Sequence, residues 1–329
     1  MQQRKTAATG LFAKTNCATC SKVVTLLEQL KYRALLECLL RPSGSLLSTL
    51  KVCLTHCFPT STGQQTMEYQ HILFTWSDGV GHISFNSPGT LNALTRDMLH
   101  EFEAAMDFCA TPESGVRCLL LTGEGRGFSS GMNLADPGGP KLPRPDAGQV
   151  LDEIFNTLLL KLRDMEIPIV VGLQGATAGI TMSIALMGDI ILAARSAYLL
   201  QPFANIGLIP DGGATWLLPR ILGKARAFEL SLLGDRLSAE KALAWGLIND
   251  VHDDDKLRDA AIAMAHRLAQ GPTRAYALTR KAFWEGFDNS FREQLLVERM
   301  YQRTASRTAD AQAAVRAFLA KKPPVFTGK

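Results

Sequence analysis

The sequence predicts an α/β protein whose C-terminal region is entirely helical. Between residues 67 and 255, short apolar runs typical of strands alternate with segments whose apolar residues recur at spacings of three and four, which is typical of amphipathic helices. From Lys256 onward the strand-like runs disappear and only the helical spacing continues. Alternation of this kind is the pattern of a sheet covered by helices.

In chain order, the apolar runs predict strands at residues 71–76, 81–86, 116–122, 169–173, 189–193 and 198–202. The helical spacing predicts helices at residues 96–109, 150–166, 180–187, 224–233 and 239–245. Beyond Lys256 the same spacing continues through AAIAMAHRLAQ, TRAYALTRKAFWEGF, FREQLLVERMYQR and ADAQAAVRAFLAKK. Segment 137–148, PGGPKLPRPDAG, is rich in proline and glycine, which predicts a flexible loop.

The first 66 residues differ from the rest of the chain in charge. They carry eight basic and two acidic residues, which leaves 27 basic and 29 acidic residues for the remainder. The net charge of +4 therefore belongs to this extension, and it does not predict nucleic-acid binding by the body. No apolar run is long enough to span a bilayer, so we expect no membrane association. We divide the chain into a basic extension at 1–66, an α/β body at 67–255 and a helical region at 256–329.

Cysteine usage changes at the same boundary. Five of the seven cysteines lie in the extension, namely Cys17, Cys20, Cys38, Cys53 and Cys57. Two of their spacings resemble those of metal ligands, but dependable zinc patterns place two tight pairs in one compact module. We therefore predict no metal site, and we expect the extension to be disordered or a misassigned start that the fold does not need. The body, with only Cys109 and Cys118, is typical of a reduced cytosolic protein.

Segment 174–220 carries the features that indicate chemistry. In QGATAG, small residues leave room for a ligand to approach the backbone, and the following ITMSIALMGD begins a helix whose first N–H groups have no internal partner. Such groups attract developing negative charge. Further along, Asp211 lies in IPDGG, where Pro210 stiffens the turn and two glycines let the backbone bend. A carboxylate at this turn is a candidate for moving a proton.

These segments resemble the crotonase superfamily, the enoyl-CoA hydratases and isomerases, from about Met67 to the C-terminus. HISFNSPGTLNAL, LLLTGEGRGFSSGMNLAD and LSAEKALAWGLIND each match a separate motif of that family. Within it, IGLIPDGGATWLLPR and the terminal YQRTASRTADAQAAVRAFLAKKPPVFTGK most resemble the branch of phenylacetate-pathway isomerases that act on 1,2-epoxyphenylacetyl-CoA.

The resemblance implies a crotonase-like spiral of repeated ββα units with a C-terminal helical region that packs against neighbouring subunits. A homotrimer or a dimer of trimers is therefore expected, with a cytoplasmic location. The implied partner is an acyl-CoA thioester, and no cofactor is expected because CoA is part of the substrate. The flexible loop at 137–148 is then expected to act as a lid near the acyl pocket.

By position in the family motifs, the backbone N–H groups of Met132 and Ile180 form the oxyanion hole. Hydratases of this superfamily also carry two glutamates that position water, and these positions hold Ser183 and Phe203 here. Asp211 remains, at the position where family isomerases place their base. An apolar pocket including Phe203, and also Ile206 and Trp216, is expected to raise the pKa of Asp211 by desolvation.

CoA recognition is assigned only through the resemblance. Asn92, Ala93 and Leu94 are implied to lie near the pantetheine chain. A basic residue of the helical tail is implied to reach the phosphates, and Lys281 is the candidate. A solvated lysine on an amphipathic helix explains Lys281 equally well.

The sequence therefore favours an acyl-CoA isomerase that uses Met132, Ile180 and Asp211. Two alternatives stay open, namely an enoyl-CoA hydratase with another water-positioning group and a non-catalytic acyl-CoA-binding scaffold. Asp211 can also be a simple helix cap. Residues 127–131, GFSSG, fit the motif of a serine hydrolase, but they match the crotonase oxyanion loop better, so we expect no serine nucleophile.

Overall fold

The computed structural model of this chain describes residues 64–134 and 146–329. Within these ranges, strands and helices alternate as far as His252, and four consecutive helices follow. The predicted mixture of an α/β body and a helical C-terminal region is thus confirmed. Most of the predicted extension, and residues 137–145 of the predicted lid, lie outside the described residues.

The larger sheet contains seven strands of the described chain, in the order β1-β2-β3-β4-β5-β7-β10. The pairs β1–β2 and β2–β3 are antiparallel, and the remaining pairs are parallel. The strands are β1 Gln65–Met67, β2 Ile72–Ser77, β3 Val80–Phe85, β4 Cys118–Gly123, β5 Ile169–Leu173, β7 Ile190–Ala194 and β10 Asp250–His252. β1 begins at Gln65, so the strand includes two residues on the N-terminal side of the boundary drawn at Met67.

A smaller sheet is formed by β6 Ala176–Ala178, β8 Tyr198–Leu200 and β9 Leu237–Ser238. β6 and β8 run parallel, whereas β8 and β9 run antiparallel. β8 is shorter than the predicted strand at 198–202, because Pro202 begins a 3₁₀ helix at Pro202–Ile206. This small sheet leads directly into the candidate site described below.

The helices of the described chain follow the predicted periodicity in most places. They are α1 Arg96–Ala110, α2 Ala147–Val150, α3 Asn156–Asp164, α4 Ile180–Ala185, α5 Ala214–Leu222, α6 Lys224–Leu233, α7 Ala239–Ala244, α8 Leu257–Ala269, α9 Thr273–Gly286, α10 Phe291–Ala305 and α11 Ala309–Leu319. The predicted helix at 150–166 is divided by a five-residue π-helical segment, Leu151–Phe155. α5 was not among the predicted helices, and it contains Pro219 in its last turn.

The core lies on both faces of the larger sheet. An added Cβ at Gly81 of β3 would meet Cys109 of α1, whereas one at Gly172 of β5 would meet Ala261 of α8. The strand register puts these two glycines on opposite sides of the sheet, so α1 and α8 cover opposite faces. β4 and β5 are therefore buried from both sides and read as nearly continuous apolar runs, as is usual for parallel strands.

An ion pair between a buried arginine and a partly exposed aspartate ties the helical region to the body. The Nε atom of Arg280 in α9 lies 2.8 and 2.7 Å from the two carboxylate oxygens of Asp189, which precedes β7. The same guanidinium donates to the carbonyls of Leu162 and Met165 at the end of α3. Because it caps these carbonyls as well as pairing with a charge, Arg280 holds α9 against the end of α3. Among the described residues, no helix is both long and apolar enough to cross a bilayer.

Candidate active site

The loop after β4 lies directly against β6. The backbone N–H of Ser129 donates to the Ala176 carbonyl over 2.9 Å, and the N–H of Ala178 donates to the Ser129 carbonyl over 3.1 Å. Gly131 has φ +99°, and an added Cβ there would lie 3.0 Å from the carbonyl oxygen of Ala178. A side chain at this position would therefore push the loop away from β6.

The same loop presents the backbone of Met132. A parallel bridge joins Leu94 and Met132, with Leu94 N–H donating to the Gly131 carbonyl over 2.8 Å and Asn133 N–H donating to the Leu94 carbonyl over 2.9 Å. These bonds use the peptide groups on either side of Met132. The N–H of Met132 consequently points away from Leu94, where a ligand oxygen can accept from it.

The second predicted donor lies at the end of β6. Gly179 has φ +59° and ψ −132°, a conformation that side chains disfavour, and its N–H donates to the Leu200 carbonyl over 2.9 Å. α4 begins at the next residue, Ile180, whose N–H has no partner within the helix. The Thr181 hydroxyl donates to the carbonyls of Ala178 and Ser129, over 2.7 and 3.2 Å. The structure thus brings the Met132 and Ile180 segments together as neighbours.

The Asp211 turn packs against the start of α4. Gly212 has φ +59°, and an added Cβ would lie 2.3 Å from Cδ1 of Ile180 and 2.9 Å from Cβ of Ser183. The Ser183 hydroxyl donates to the backbone carbonyl of Asp211 over 2.8 Å, and the N–H of Ala214 donates to the same carbonyl over 3.0 Å. The candidate base and one candidate oxyanion donor therefore lie on segments in direct contact.

The carboxyl group of Asp211 is partly removed from water. Its Oδ1 atom is buried and accepts no hydrogen bond from the described part of the chain. Burial raises the pKa of Asp211 to about 6, against a smaller lowering by a backbone hydrogen bond. The predicted direction of the shift is confirmed. A carboxyl group with this pKa is mostly ionised at neutral pH. Because its pKa is close to 7, it can both accept and return a proton efficiently.

Three residues were predicted to line an apolar pocket around Asp211, and they differ in burial and in contacts. Phe203 is buried, and its Cζ would lie 3.7 Å from a Cβ built on Gly179, so the ring faces the turn before Ile180. The side chain of Ile206 is 55% exposed. Trp216 stacks on Trp284 of α9, with the ring centroids 5.9 Å apart. Phe203 therefore lies beside the start of α4, whereas Ile206 is more than half exposed.

Asn92 has a role that the sequence did not reveal. It is fully buried, and its amide nitrogen donates to the carbonyls of Glu124, Gly127 and Phe128 over 2.8, 2.8 and 3.2 Å. Its amide oxygen accepts from the Ser87 N–H over 2.7 Å. Asn92 thus fixes the loop that leads to Met132, and its side chain has no polar group left for a ligand.

The other predicted CoA-binding residues lie in two separate places. Ala93 and Leu94 follow Asn92 beside the Met132 loop, and Ala93 is partly exposed while Leu94 is buried. Lys281 is exposed on α9, with its ammonium 5.8 Å from the centroid of the Tyr301 ring of α10. The structure therefore places Ala93 and Leu94 beside the Met132 loop and leaves Lys281 on the helical surface.

The serine-hydrolase motif at 127–131 is excluded by geometry. The Ser129 hydroxyl is buried and donates to the Asn92 carbonyl over 2.6 Å, so it supports the loop instead of facing a substrate. A serine hydrolase would also need a histidine as base. His252 lies on β10, where its Nε2 is 3.5 Å from Oδ2 of Asp250. The described residues also contain no cluster of His, Cys, Asp and Glu that could hold a metal ion.

Comparison with known proteins gives the same assignment for most of the chain. The enoyl-CoA hydratase/isomerase family matches residues 75–329. The 1,2-epoxyphenylacetyl-CoA isomerase of Escherichia coli strain K12 is 42% identical over 261 residues, which cover 79% of this chain and 99% of that protein. A Rhodobacter capsulatus protein described as a probable enoyl-CoA hydratase is 37% identical over 263 residues, which cover 80% of this chain and 100% of that protein.

A solved structure shows that the similarity extends to the fold. The crystal structure of enoyl-CoA hydratase from Bacillus anthracis matches with a TM-score of 0.73 at 27% sequence identity, covering 79% of this chain and 100% of that one. The family match spans well over half of the chain and includes the Met132 loop, α4 and the Asp211 turn. This chain belongs to the enoyl-CoA hydratase/isomerase family, with the crotonase fold.

Proposed function

We propose that this protein is an acyl-CoA isomerase, which moves a double bond along an acyl chain or converts an aryl-epoxide CoA to its ring-expanded isomer. One observation carries the proposal. Asp211 has a carboxyl group of raised pKa on a turn that packs against α4. By the family resemblance, Ser183 and Phe203 occupy the positions of the two water-positioning glutamates of hydratases. A site with one carboxyl group suits the relocation of a proton better than the addition of water.

The chemistry begins with the thioester carbonyl. Its oxygen accepts hydrogen bonds from the N–H groups of Met132 and Ile180, and these bonds strengthen as negative charge develops in the enolate. Removing one such donor typically costs about 100- to 1000-fold in rate. Because the donors are backbone groups, the fold of the two loops, and not the identity of the side chains, sets their positions.

Asp211 then acts as the proton carrier. It accepts a proton from the α carbon of a 3-enoyl thioester, and the electron pair of the broken C–H bond forms the dienolate. The same proton returns from Asp211 to the γ carbon, which leaves the double bond between the α and β carbons. No atom is gained or lost, so the reaction needs no co-reactant, and CoA serves only as part of the substrate.

Binding of the CoA portion is proposed for two regions. Ala93 and Leu94 lie beside the oxyanion loop, where the pantetheine chain of the substrate would pass, and Asn92 holds this region in shape. Lys281 is exposed on α9 and is available to the phosphates. A Lys281→Ala variant with an unchanged KM would remove this residue from the proposal.

We also propose a homotrimer, or a dimer of trimers, as the working assembly. The helical region exposes large apolar side chains that a partner subunit would bury, namely Phe283, Phe291, Leu295, Leu296, Met300 and Phe318. Light scattering on the purified protein should therefore give three or six times the mass of one chain. A monomer would contradict this assembly.

A hydratase remains the second candidate, because a protein at 37% identity is described as one. A panel of substrates distinguishes the candidates: a 3-enoyl-CoA and the aryl-epoxide CoA test isomerisation, whereas a 2-enoyl-CoA tests hydration. Turnover of the first two supports the proposal, and hydration alone rejects it. Binding of CoA thioesters without any turnover would indicate a scaffold.

The role of Asp211 is tested by the isosteric change Asp211→Asn. Loss of the general base should lower kcat by roughly 100- to 10,000-fold while the affinity for a saturated acyl-CoA stays near that of the wild type. Asp235→Asn, in an exposed loop after α6, is the matched control and should keep the wild-type rate. Wild-type kcat in Asp211→Asn would reject the assigned base.

A further inference from the structure

Ser183 stands at a point where α4 and the Asp211 turn are in contact. It is fully buried in α4, and its hydroxyl donates to the Asp211 carbonyl over 2.8 Å. In a helix, a serine hydroxyl usually bonds to a carbonyl of the preceding turn of its own helix. Here it reaches a residue 28 positions further along the chain, so the bond fixes a tertiary contact.

The space around this bond is tightly limited. A Cβ on Gly212 would lie 2.9 Å from Cβ and 3.1 Å from Oγ of Ser183, and 2.3 Å from Cδ1 of Ile180. The turn can therefore approach α4 only because residue 212 lacks a side chain and residue 183 has a short one. A glutamate at 183 would have to occupy the volume that the backbone of Gly212 fills.

Resting on the proposed function, we propose that Ser183 is a positioning residue for Asp211. Its hydroxyl holds the peptide group of Asp211 against the first turn of α4 and thereby fixes the carboxyl group relative to the Ile180 N–H. The serine does more than remove a hydratase glutamate, since it supplies the bond that places the isomerase base. It contacts Asp211 through the backbone, and therefore acts on the substrate only through that residue.

The positioning role predicts a specific kinetic effect for Ser183→Ala. Alanine favours the helix and fits the available space, so the variant should fold, but the Asp211 carbonyl loses one of its two donors. A small displacement of the carboxyl group from the acyl carbons should lower kcat by roughly 10- to 100-fold. The KM, and the Kd for the unreactive probe butyryl-CoA, should stay within about twofold because both oxyanion donors remain.

Ser84→Ala is the matched control. Ser84 of β3 is also a buried serine that makes one hydrogen bond, to Glu124 over 2.8 Å, and it does not contact the Asp211 turn. Both variants should lower the thermal unfolding midpoint by a few degrees, but only Ser183→Ala should lower kcat. Equal kcat in the wild type and Ser183→Ala, or an equal loss in both variants, would overturn the positioning role.

A measurement on the protein alone separates this inference from the proposed function. In full-length protein labelled with ¹³C at the aspartate carboxyl carbons, the Asp211 signal is identified by its loss in Asp211→Asn and then titrated. Release of the turn should hydrate the carboxyl group, so its pKa should fall in Ser183→Ala towards the ordinary aspartate value. An unchanged pKa overturns the inference even if no acyl-CoA is turned over, whereas inactivity of the wild type with a shifted pKa rejects only the isomerase.

Discussion

The protonation state of Asp211 is set by burial and not by a charged partner. Desolvation raises its pKa to about 6, about two units above the value of 3.8 for a free aspartate. At neutral pH the carboxyl group is therefore mostly ionised, yet its conjugate acid is strong enough to return a proton. Hydration of the carboxyl group would return its pKa to the ordinary value for aspartate. The raised pKa therefore depends on the packing of the turn against α4.

We expect kcat/KM for isomerisation to fall as the pH is lowered through about 6, because Asp211 protonated in the free enzyme cannot accept the substrate proton. The check is a profile of kcat/KM between pH 5 and pH 8 with the preferred acyl-CoA. A rate that is constant down to pH 5 would mean that another group is the base.

The same raised pKa should weaken the fold at neutral pH. A carboxyl group whose pKa is higher in the folded than in the unfolded state contributes stability that is present below pH 4 and lost as the pH rises through about 6. Asp211→Asn should therefore melt at a higher temperature than the wild type at pH 7 and at nearly the same temperature at pH 4. An identical difference at both values would contradict this explanation.

Asn92 shows which part of a site the sequence could not provide. The family pattern indicated where the residue lies along the chain, near the predicted pantetheine region. Its three hydrogen bonds reach carbonyls at 124, 127 and 128, and such long-range partners leave no periodic signal in a sequence. A positive φ of 54° is its one local peculiarity, and asparagine tolerates this conformation better than most residues.

Asn92→Ala should lower the free energy of unfolding by about 3 kcal/mol, because two buried carbonyls and one partly buried carbonyl lose a donor. It should also slow catalysis, since these bonds hold the loop that presents Met132. Urea denaturation checks the first effect. Asn289→Ala, which removes a single partly buried hydrogen bond to Gln294, serves as the control and should cost about 1 kcal/mol. An equal decrease in the free energy of unfolding in the two variants would show that the three hydrogen bonds of Asn92 do not stabilise the loop as inferred.

At the level of elements, the periodicity of the sequence predicted β2, β3, β4, β5 and β7 within two residues at each end. It missed β1, β6, β9 and β10, which have only two or three residues each, because so short a strand is defined by its partners and not by a repeating pattern. α5 was missed for a different reason. It contains Pro219, and a proline beyond the first turn argues against a helix in a sequence.

Gly179 is the element boundary that sets the position of the Ile180 N–H, the second proposed oxyanion donor. Its φ of +59° and ψ of −132° are accessible to glycine and strained for other residues, while the nearest atom to an added Cβ lies at an ordinary 3.7 Å. Gly179→Ala should therefore introduce backbone strain without a clash, and lower the unfolding free energy by about 1–3 kcal/mol. The strain falls on the peptide that carries the Ile180 N–H, so kcat should fall as well.

Gly89→Ala is the comparison for this prediction. Gly89 has no positive φ, and an added Cβ would meet nothing within 4 Å, so the change should stay within about 0.5 kcal/mol of the wild type. Thermal denaturation and initial rates on both variants provide the measurement. If Gly179→Ala were as stable and as active as Gly89→Ala, the conformation at 179 would not matter to the site.

For the whole molecule, strand pairing extends further towards the N-terminus than the boundary at Met67. Gln65 and Thr66 pair with Trp76 and Thr75 at the edge of the larger sheet. The sequence could not reveal this, because two polar residues beside a basic extension carry no strand signal.

A chain shortened to begin at Gln64 should keep the stability and the kcat of the full chain. A chain shortened to begin at Met67 loses two edge pairings, so its free energy of unfolding should be lower by about 1 kcal/mol. Its kcat should be unchanged, because β1 pairs only with β2 at the edge of the larger sheet, whereas the Asp211 turn packs against α4. Chemical denaturation and the isomerase assay test both. Loss of activity in the chain that begins at Gln64 would show that activity requires residues before 64.

The bridge between Ser129 and Thr177 joins the Met132 loop and the strand before Ile180 into one backbone unit, whereas Asp211 lies on a separate turn that packs against α4. Under the proposed function, activation of the acyl group and choice of reaction are then encoded in different stretches of chain. Exchanging only the stretch around 211, together with its docking residue at 183, should redirect the chemistry of this scaffold while its grip on the thioester survives.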